Sequence, residues 1–303
     1  MKKKFKLFGK TYEKTEVLTA AGFMLPAVVL GIIFVMLPIV LSLMFAFTDA
    51  NMLRLDKINY VGLKNFIQLF SKDELALTSL KNSLFFTVCV VPLHFSISLG
   101  LACLLNKQRF MKTFFRWIFF IPNMLSLAVL SLLWSNLFGQ TGVINSLIVA
   151  MGGTAQGFLE DPNQAMICII FISAWAGAGY QMILFLGAMQ AIPKDYYEAA
   201  EIDGCIGTKA FWYITLPQLI PTLGFVIITM LIGAFRLIVQ PMIMTGGGPL
   251  DSTLTVSYYI YRQGITFREV GYSSAIALVY TFIISFVALN LRRVFRKLEE
   301  NLW

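Results

Sequence analysis

Charge is what this chain has least of. Charged side chains make up 13% of its 303 residues and hydrophobic ones 58%, whereas a water-soluble domain carries about 25% and about 45–50%. Too few charges remain to cover a water-facing surface, so the chain belongs in a bilayer. Histidine occurs once, at His94, and the four cysteines Cys89, Cys103, Cys168 and Cys205 stand far apart with no C-x-x-C pair. These shortages leave no metal site, no histidine-based triad and no disulfide framework to argue for. A membrane-embedded enzyme, which would need a catalytic cluster, is disfavoured with them. Carboxylates are missing from the hydrophobic runs, since all sixteen Asp and Glu lie in connections or tails. Ion-coupled carriers and self-sufficient channels place acidic ligands at membrane depth, so any drive is expected from outside the bundle. A phosphate-cradling loop is lacking too: Gly9-Lys10-Thr11 has Lys4 where G-x-x-x-x-G-K-[ST] needs its first glycine. The chain is therefore expected to bind no cofactor itself.

What is present is a set of long apolar runs. A hydrocarbon core ~30 Å thick takes roughly 20 helical residues, and six stretches qualify: about 17–48, 82–105, 117–138, 165–192, 221–244 and 270–291. Spanning backbone must satisfy its own hydrogen bonds, which predicts an all-α integral membrane fold forming one domain over residues 1–303. The first run is about twice as long as a signal-peptide core of ~7–15 residues and lacks an obvious cleavage site, so it reads as an anchor. Lys and Arg outnumber Asp and Glu by 24 to 16, and the excess has a topological meaning rather than pointing to nucleic acid. The N-terminal tail, residues 106–116, the C-terminal tail, Lys194 and Lys209 hold 16 of the 24 basic residues, against seven in the opposite loops. Both termini are thus expected on the cytoplasmic side. Of the outer loops 49–81, 139–164 and 246–269, the first two carry apolar stretches, 60–70 and 143–151, expected to lie as interfacial helices.

The inner connection 193–220 is patterned. Pro193 halts the fourth span and Asp195 is placed to cap the next turn. Tyr196 to Asp203 has helical composition, Gly204 suits a left-handed cap, Gly207 turns the chain, and a second short helix is expected over Thr208 to Thr215, ahead of Leu216-Pro217. The result is a helix–turn–helix knuckle. Glu198-Ala199-Ala200, then Gly204, Ile214 and Leu216-Pro217, resemble the EAA signature of membrane subunits of binding-protein-dependent ABC importers. Ala191-Ile192-Pro193 and Ile202-Asp203-Gly204 resemble its maltose and multiple-sugar branch, although Cys205 replaces the usual alanine. Thr245-Gly246-Gly247-Gly248-Pro249, after Met244, resembles the outer-edge motif of a maltose-type permease.

The resemblance covers nearly the whole chain. It implies a type I ABC importer permease fold of six transmembrane helices, in which Glu198, Ala199, Ala200, Asp203, Gly204, Leu216 and Pro217 form a coupling helix seated in an ATPase that binds ATP and Mg. It further implies three partners: a second homologous permease, the ATPase dimer and an extracytoplasmic solute-binding protein resting on loops 49–81 and 246–269. The implied cargo is a sugar or oligosaccharide, with an anionic solute such as a uronate oligosaccharide or glycerol 3-phosphate as the alternative. Gly177 and Tyr180 match sugar-binding positions of the family, within an Ala174–Gln181 stretch of small, aromatic and amide side chains. Trp175 reads as packing. For Arg236, about 13 Å from the outer end if the helix is continuous, two readings stay open: contact with solute, or a pair with a helix of the partner permease. Many family members carry Phe-Asp where this chain has Val239-Gln240. Asn123 beside Pro122 and His94 beside Pro92 are expected to be buried, satisfied polar groups.

Overall fold

A computed structural model describes residues 4–7, 10–54, 56–107 and 111–300. Lys2, Lys3, Gly9 and Arg109 of the features above lie outside the described residues. Two short strands, β1 (Lys4–Leu7) and β2 (Lys10–Glu13), pair antiparallel with Lys4 opposite Glu13. All other regular structure is helical: α1 (Lys14–Gly31), a π-helical turn Ile32–Met36, α2 (Leu37–Phe45), α3 (Lys64–Ser71), α4 (Glu74–Lys107), α5 (Lys112–Met124), α6 (Leu127–Leu137) and α7 (Val143–Ala150). Then follow a 3-10 turn Phe158–Glu160, α8 (Ala165–Ala191), α9 (Lys194–Ile202), α10 (Thr208–Ala210), a π-helical turn Phe211–Thr215, α11 (Leu216–Gln218), α12 (Ile220–Phe235), α13 (Val239–Met244), α14 (Val256–Tyr261), a third π-helical turn Arg262–Thr266 and α15 (Val270–Glu300).

Among the described residues five helical stretches are long and apolar enough to cross a membrane: Leu18–Phe45, Glu74–Lys107, Ala165–Ala191, Ile220–Met244 and Val270–Glu300. The third expected span is broken: α5 and α6 meet at 93°, and counting the pair as one span makes six. The break falls at Leu125 and Ser126, both extended (ψ 147° and 129°). Three residues earlier Pro122 has already removed one N–H from the ladder, so the helix has little to lose by ending there. The apolar stretches at 60–70 and 143–151 do contain helices, α3 and α7.

Two of the π-helical turns have a visible cause. Each is closed by a bond five residues back, Leu37 N–H to Ile32 O and Leu216 N–H to Phe211 O. In both cases the next residue is a proline, Pro38 or Pro217. Proline cannot donate to the carbonyl four residues earlier and its ring crowds it, and a wider turn relieves that crowding.

The chain divides into two compact units, Met1–Gln68 with Gln263–Leu278, and Leu69–Arg262 with Val279–Trp303. In the first, no side chain within the most apolar window of Leu18–Phe45 is buried, as suits a helix facing lipid or another chain. In the second, α4 and α8 are the central pair, and α8 is the most buried of the long helices. Phe86 and Val90 of α4 pack with Ile169, Ile172 and Ala174 of α8 in one cluster; Ala102 and Leu105 pack with Met182, Phe185 and Met189 in another. Small residues on α8 let neighbours approach its backbone: a Cβ on Gly179 would collide with the carbonyl oxygen of Phe119 in α5.

Candidate functional site

The knuckle is built as its residues dictate, with one shift. Helix α9 starts two residues earlier than expected, because Pro193, extended at φ −59° and ψ 139°, serves as its N-cap. Asp195 therefore lies inside the first turn and contributes its charge to the helix N-terminus rather than a capping bond. At the other end Gly204 takes the left-handed conformation, φ +70°. Its N–H donates to Glu201 O at 3.0 Å and Cys205 N–H donates to Ala200 O at 2.8 Å, the paired bonds of a closed left-handed cap. Gly207 turns the chain at φ +62°. The expected second helix over 208–215 is α10 followed by the π-helical turn, for the proline reason given above. The hydroxyls of Tyr197 and Thr215 lie 2.9 Å apart and tie the two arms together.

Glu198, Ala199, Asp203 and Gly204 are exposed, while Ala200, Leu216 and Pro217 are half-buried. Around them Tyr196, Ile202, Ile206, Trp212 and Tyr213 are exposed, Ile202 at 87%. An exposed cluster of large apolar side chains marks an interaction surface.

The second feature is a cavity of about 230 Å³ whose polar lining comes from His94, Ser173, Gln181, Thr229, Arg236 and Gln240. Ser173, Gly177 and Gln181 recur every fourth residue along α8 and share a face. His94 Nε2 lies 3.1 Å from Gln181 Oε1. Gly177 makes this possible, since a Cβ there would collide with the His94 ring. Gln240 Nε2 donates to Ser173 Oγ at 3.4 Å. Arg236 is exposed into the cavity, and no lining residue is acidic.

Helix α12 does not run through Arg236, which is its C-cap at φ −90° and ψ 17°; α13 begins at Val239. The continuous helix expected over 221–244 is thus interrupted at residues 236–238. Pro241 supplies the reason, because it falls in the first turn of the new helix, where its missing N–H is tolerated. Carbonyls freed at such a break must find donors when water is scarce. Phe235 O accepts from Ser257 Oγ at 2.9 Å and from Tyr280 Oη at 2.8 Å, and Leu237 O accepts from Thr255 Oγ1 at 2.7 Å.

Tyr180, 47% exposed, is not among the lining side chains. Trp175 packs its ring 5.5 Å from that of Trp134, in keeping with a packing role. His94 is satisfied, as expected, but Asn123 is exposed rather than buried.

The outer-edge motif forms a knotted loop. Gly246 and Gly247 take φ +62° and +89°, and Gly248–Pro249 is cis. Thr245 Oγ1 donates to Pro241 O at 2.9 Å and lies 2.6 Å from Thr253 Oγ1; Thr253 Oγ1 donates to Gly248 O at 2.9 Å. Asn82 Nδ2 anchors the loop to α4 through the carbonyls of Asp251 and Leu254, at 2.8 and 3.0 Å. Sequence reasoning missed Ser173, Thr229 and the hydroxyls of Thr255, Ser257 and Tyr280. The four-residue spacing in α8 was the one available signal for Ser173; the other side chains meet partners that no local pattern reveals.

The family described as binding-protein-dependent transport system inner membrane component matches the chain over residues 95–300. The lactose transport system permease protein LacF of Rhizobium radiobacter is 34% identical over 286 residues, covering 92% of this chain and 94% of the relative. The sn-glycerol-3-phosphate transport system permease protein UgpA of Agrobacterium fabrum is 34% identical over 227 residues, 75% of this chain and 77% of that one. The crystal structure of a bacterial ABC transporter involved in the import of the acidic polysaccharide alginate contains a chain that superposes with a TM-score of 0.82 at 22% identity, covering 93% of this chain and 96% of that one.

Proposed function

Since this chain belongs to the family of binding-protein-dependent transport system inner membrane components, we propose that it forms half of the translocation path of an ATP-driven importer for a sugar or oligosaccharide. The other half is a second, homologous permease. A dimeric ATPase, which binds the ATP and Mg, docks on the knuckle, and an extracytoplasmic binding protein rests on loops 49–81 and 246–269 around the Thr245–Pro249 loop. The basic segments orient both termini to the cytoplasm.

The observation that carries this reading is the knuckle itself. Its helix is locked at the end by two cap bonds, its small residues Ala199 and Gly204 are exposed, and Glu198 is exposed on the same short helix as Tyr196 and Ile202, apolar side chains that water alone would not favour. A carboxylate seated in a partly desolvated cleft makes a stronger charge-assisted bond than a surface pair. A protein docked there would pull on α8 and α12, the helices the knuckle joins. The cavity supports passage of a hydroxyl-rich solute: it presents amide, hydroxyl, imidazole and guanidinium groups, with Gly177 admitting the His94 ring. At about 230 Å³ it is smaller than the ~300–1,000 Å³ of a complete small-molecule site, as one wall of a shared path would be. Tyr180 stays a candidate for contact across the path, being exposed beside that face.

In vesicles containing the assembled importer, Glu198→Lys is expected to leave binding-protein docking intact and to abolish uptake by breaking the link to ATP hydrolysis. Unchanged uptake would overturn the coupling role. One observation favours a second reading. Arg236 faces a cavity with no acidic lining residue, which suits an anionic cargo, and one relative is named for sn-glycerol-3-phosphate.

A further inference from the structure

We propose that Tyr197 is a positioning residue of the coupling knuckle, whose hydroxyl bond to Thr215 carries movement of the docked ATPase from α9 to the foot of α12. This rests on the reading of the knuckle as the ATPase docking site. The chain itself is a poor link between the two arms. Gly204 and Gly207 both take positive φ, +70° and +62°, and a Cβ built on either would meet open space, so no packing stiffens these two joints. The backbone bonds around them close each arm on itself: Gly204 N–H and Cys205 N–H return to Glu201 O and Ala200 O of α9, and Phe211 N–H returns to Gly207 O. Among the described residues, the Tyr197–Thr215 contact at 2.9 Å is the only side-chain hydrogen bond, and no ion pair is, that joins α9 to another element.

Thr215 is placed to receive that bond and pass it on. It is 7% exposed, where a hydroxyl without a partner is costly. Its Oγ1 donates to Ala210 O at a long 3.5 Å, which leaves Tyr197 Oη to donate to Thr215. On the other side, the Thr215 carbonyl accepts from Leu219 N–H at 3.1 Å. Leu219 is the N-cap of α12 and is fully buried. One run of bonds thus leads from α9 through Tyr197 and Thr215 to the first residue of α12, bypassing both glycines. Without the hydroxyl pair, a displacement of α9 would be taken up by rotation about Gly204 and Gly207, and α12 would receive less of it.

The assembled importer in nanodiscs, without nucleotide and with its ATPase dimer closed by Mg-ATP and vanadate, is read by hydrogen–deuterium exchange over residues 194–203 and 208–219. In the wild-type protein, closure is expected to slow exchange in both segments. In Tyr197→Phe the slowing over 194–203 should persist, whereas that over 208–219, about fivefold for one hydrogen bond of ordinary strength, should disappear. Thr215→Val should do the same, and Thr215→Ser, which keeps the hydroxyl, should retain the wild-type response. Tyr197→Phe combined with Thr215→Val should be no worse than either alone, because one bond can be lost only once. A bond that merely holds the knuckle together would quicken exchange over 208–219 equally in both states and leave the response to closure intact. That result would overturn the proposal, as would additive losses from the two substitutions. A wild-type importer with no slowing over 194–203 would instead remove the docking reading, and the proposal with it.

Discussion

At the scale of single residues, the segment that follows α2 shows how a side chain can hold a loop in register. Asp49 accepts from the backbone N–H of Asn59 at 2.6 Å and from its Nδ2 at 3.0 Å. These bonds, the side-chain one foremost, hold the Asp49 carboxyl below its ordinary value of 3.8. A carboxyl with a depressed folded value stabilises the loop fully above that ordinary value and loses the contribution as pH falls through the folded one. Mobility of a spin label at Met52 is therefore expected to stay flat from neutral pH down to about pH 5 and to rise only below the usual carboxylate range. Asp49→Asn should show the raised mobility at neutral pH as well. Nothing in the sequence around Asp49 announces Asn59 as its partner, because nine intervening residues hide the pairing. Gly204 is the opposite case: a glycine after a helical run, before a second turn, needs only local backbone energetics to be read.

At the scale of elements, the knuckle was legible because its stop signals are chemical. Pro193, Gly204, Gly207 and Pro217 each forbid or permit a particular backbone state, and the structure places a cap, a left-handed turn, a second turn and a widened helix at them. Gly204 has open space around it, so Gly204→Ala would suffer only the left-handed backbone cost, about 1 kcal/mol. Hydrogen–deuterium exchange at Gly204 and Cys205 is expected to quicken about fivefold, with Gly204→Asn less affected because asparagine tolerates that region. Fast exchange unchanged by either substitution would mean that the cap does not limit the loop. The broken third span and the interruption at Arg236 were not legible. Apolar composition says that a segment prefers lipid; it does not say that the segment is straight, and Pro122 and Pro241 act on turns that hydropathy cannot resolve.

At the scale of the whole molecule, the count of spans and the knuckle came from composition and pattern, whereas the cavity came from elements far apart in sequence: α4, α8 and the break between α12 and α13. Its charge was foreseeable through Arg236, and part of its α8 wall through the Ala174–Gln181 stretch, but not their meeting with α4. That charge sets a test of cargo. A hydrogen bond between charged groups contributes about 1.5–3 kcal/mol, so Arg236→Gln is expected to lower uptake of an anionic sugar or sugar phosphate by roughly ten- to a hundredfold while changing that of a neutral sugar only slightly. Equal loss of both, measured with the cognate binding protein present, would assign Arg236 to structure and not to cargo. The interruption beside it carries a last consequence. A gap in a helix is usually a place to flex, yet here the freed carbonyls of Phe235 and Leu237 are stapled by Tyr280, Ser257 and Thr255, hydroxyls borne on two other helices and the residue leading into one. Such a splint lets the guanidinium leave the helical path without softening the rod that carries it, so a displacement of α12 would be handed on to α13 as travel, with little lost to bending on the way.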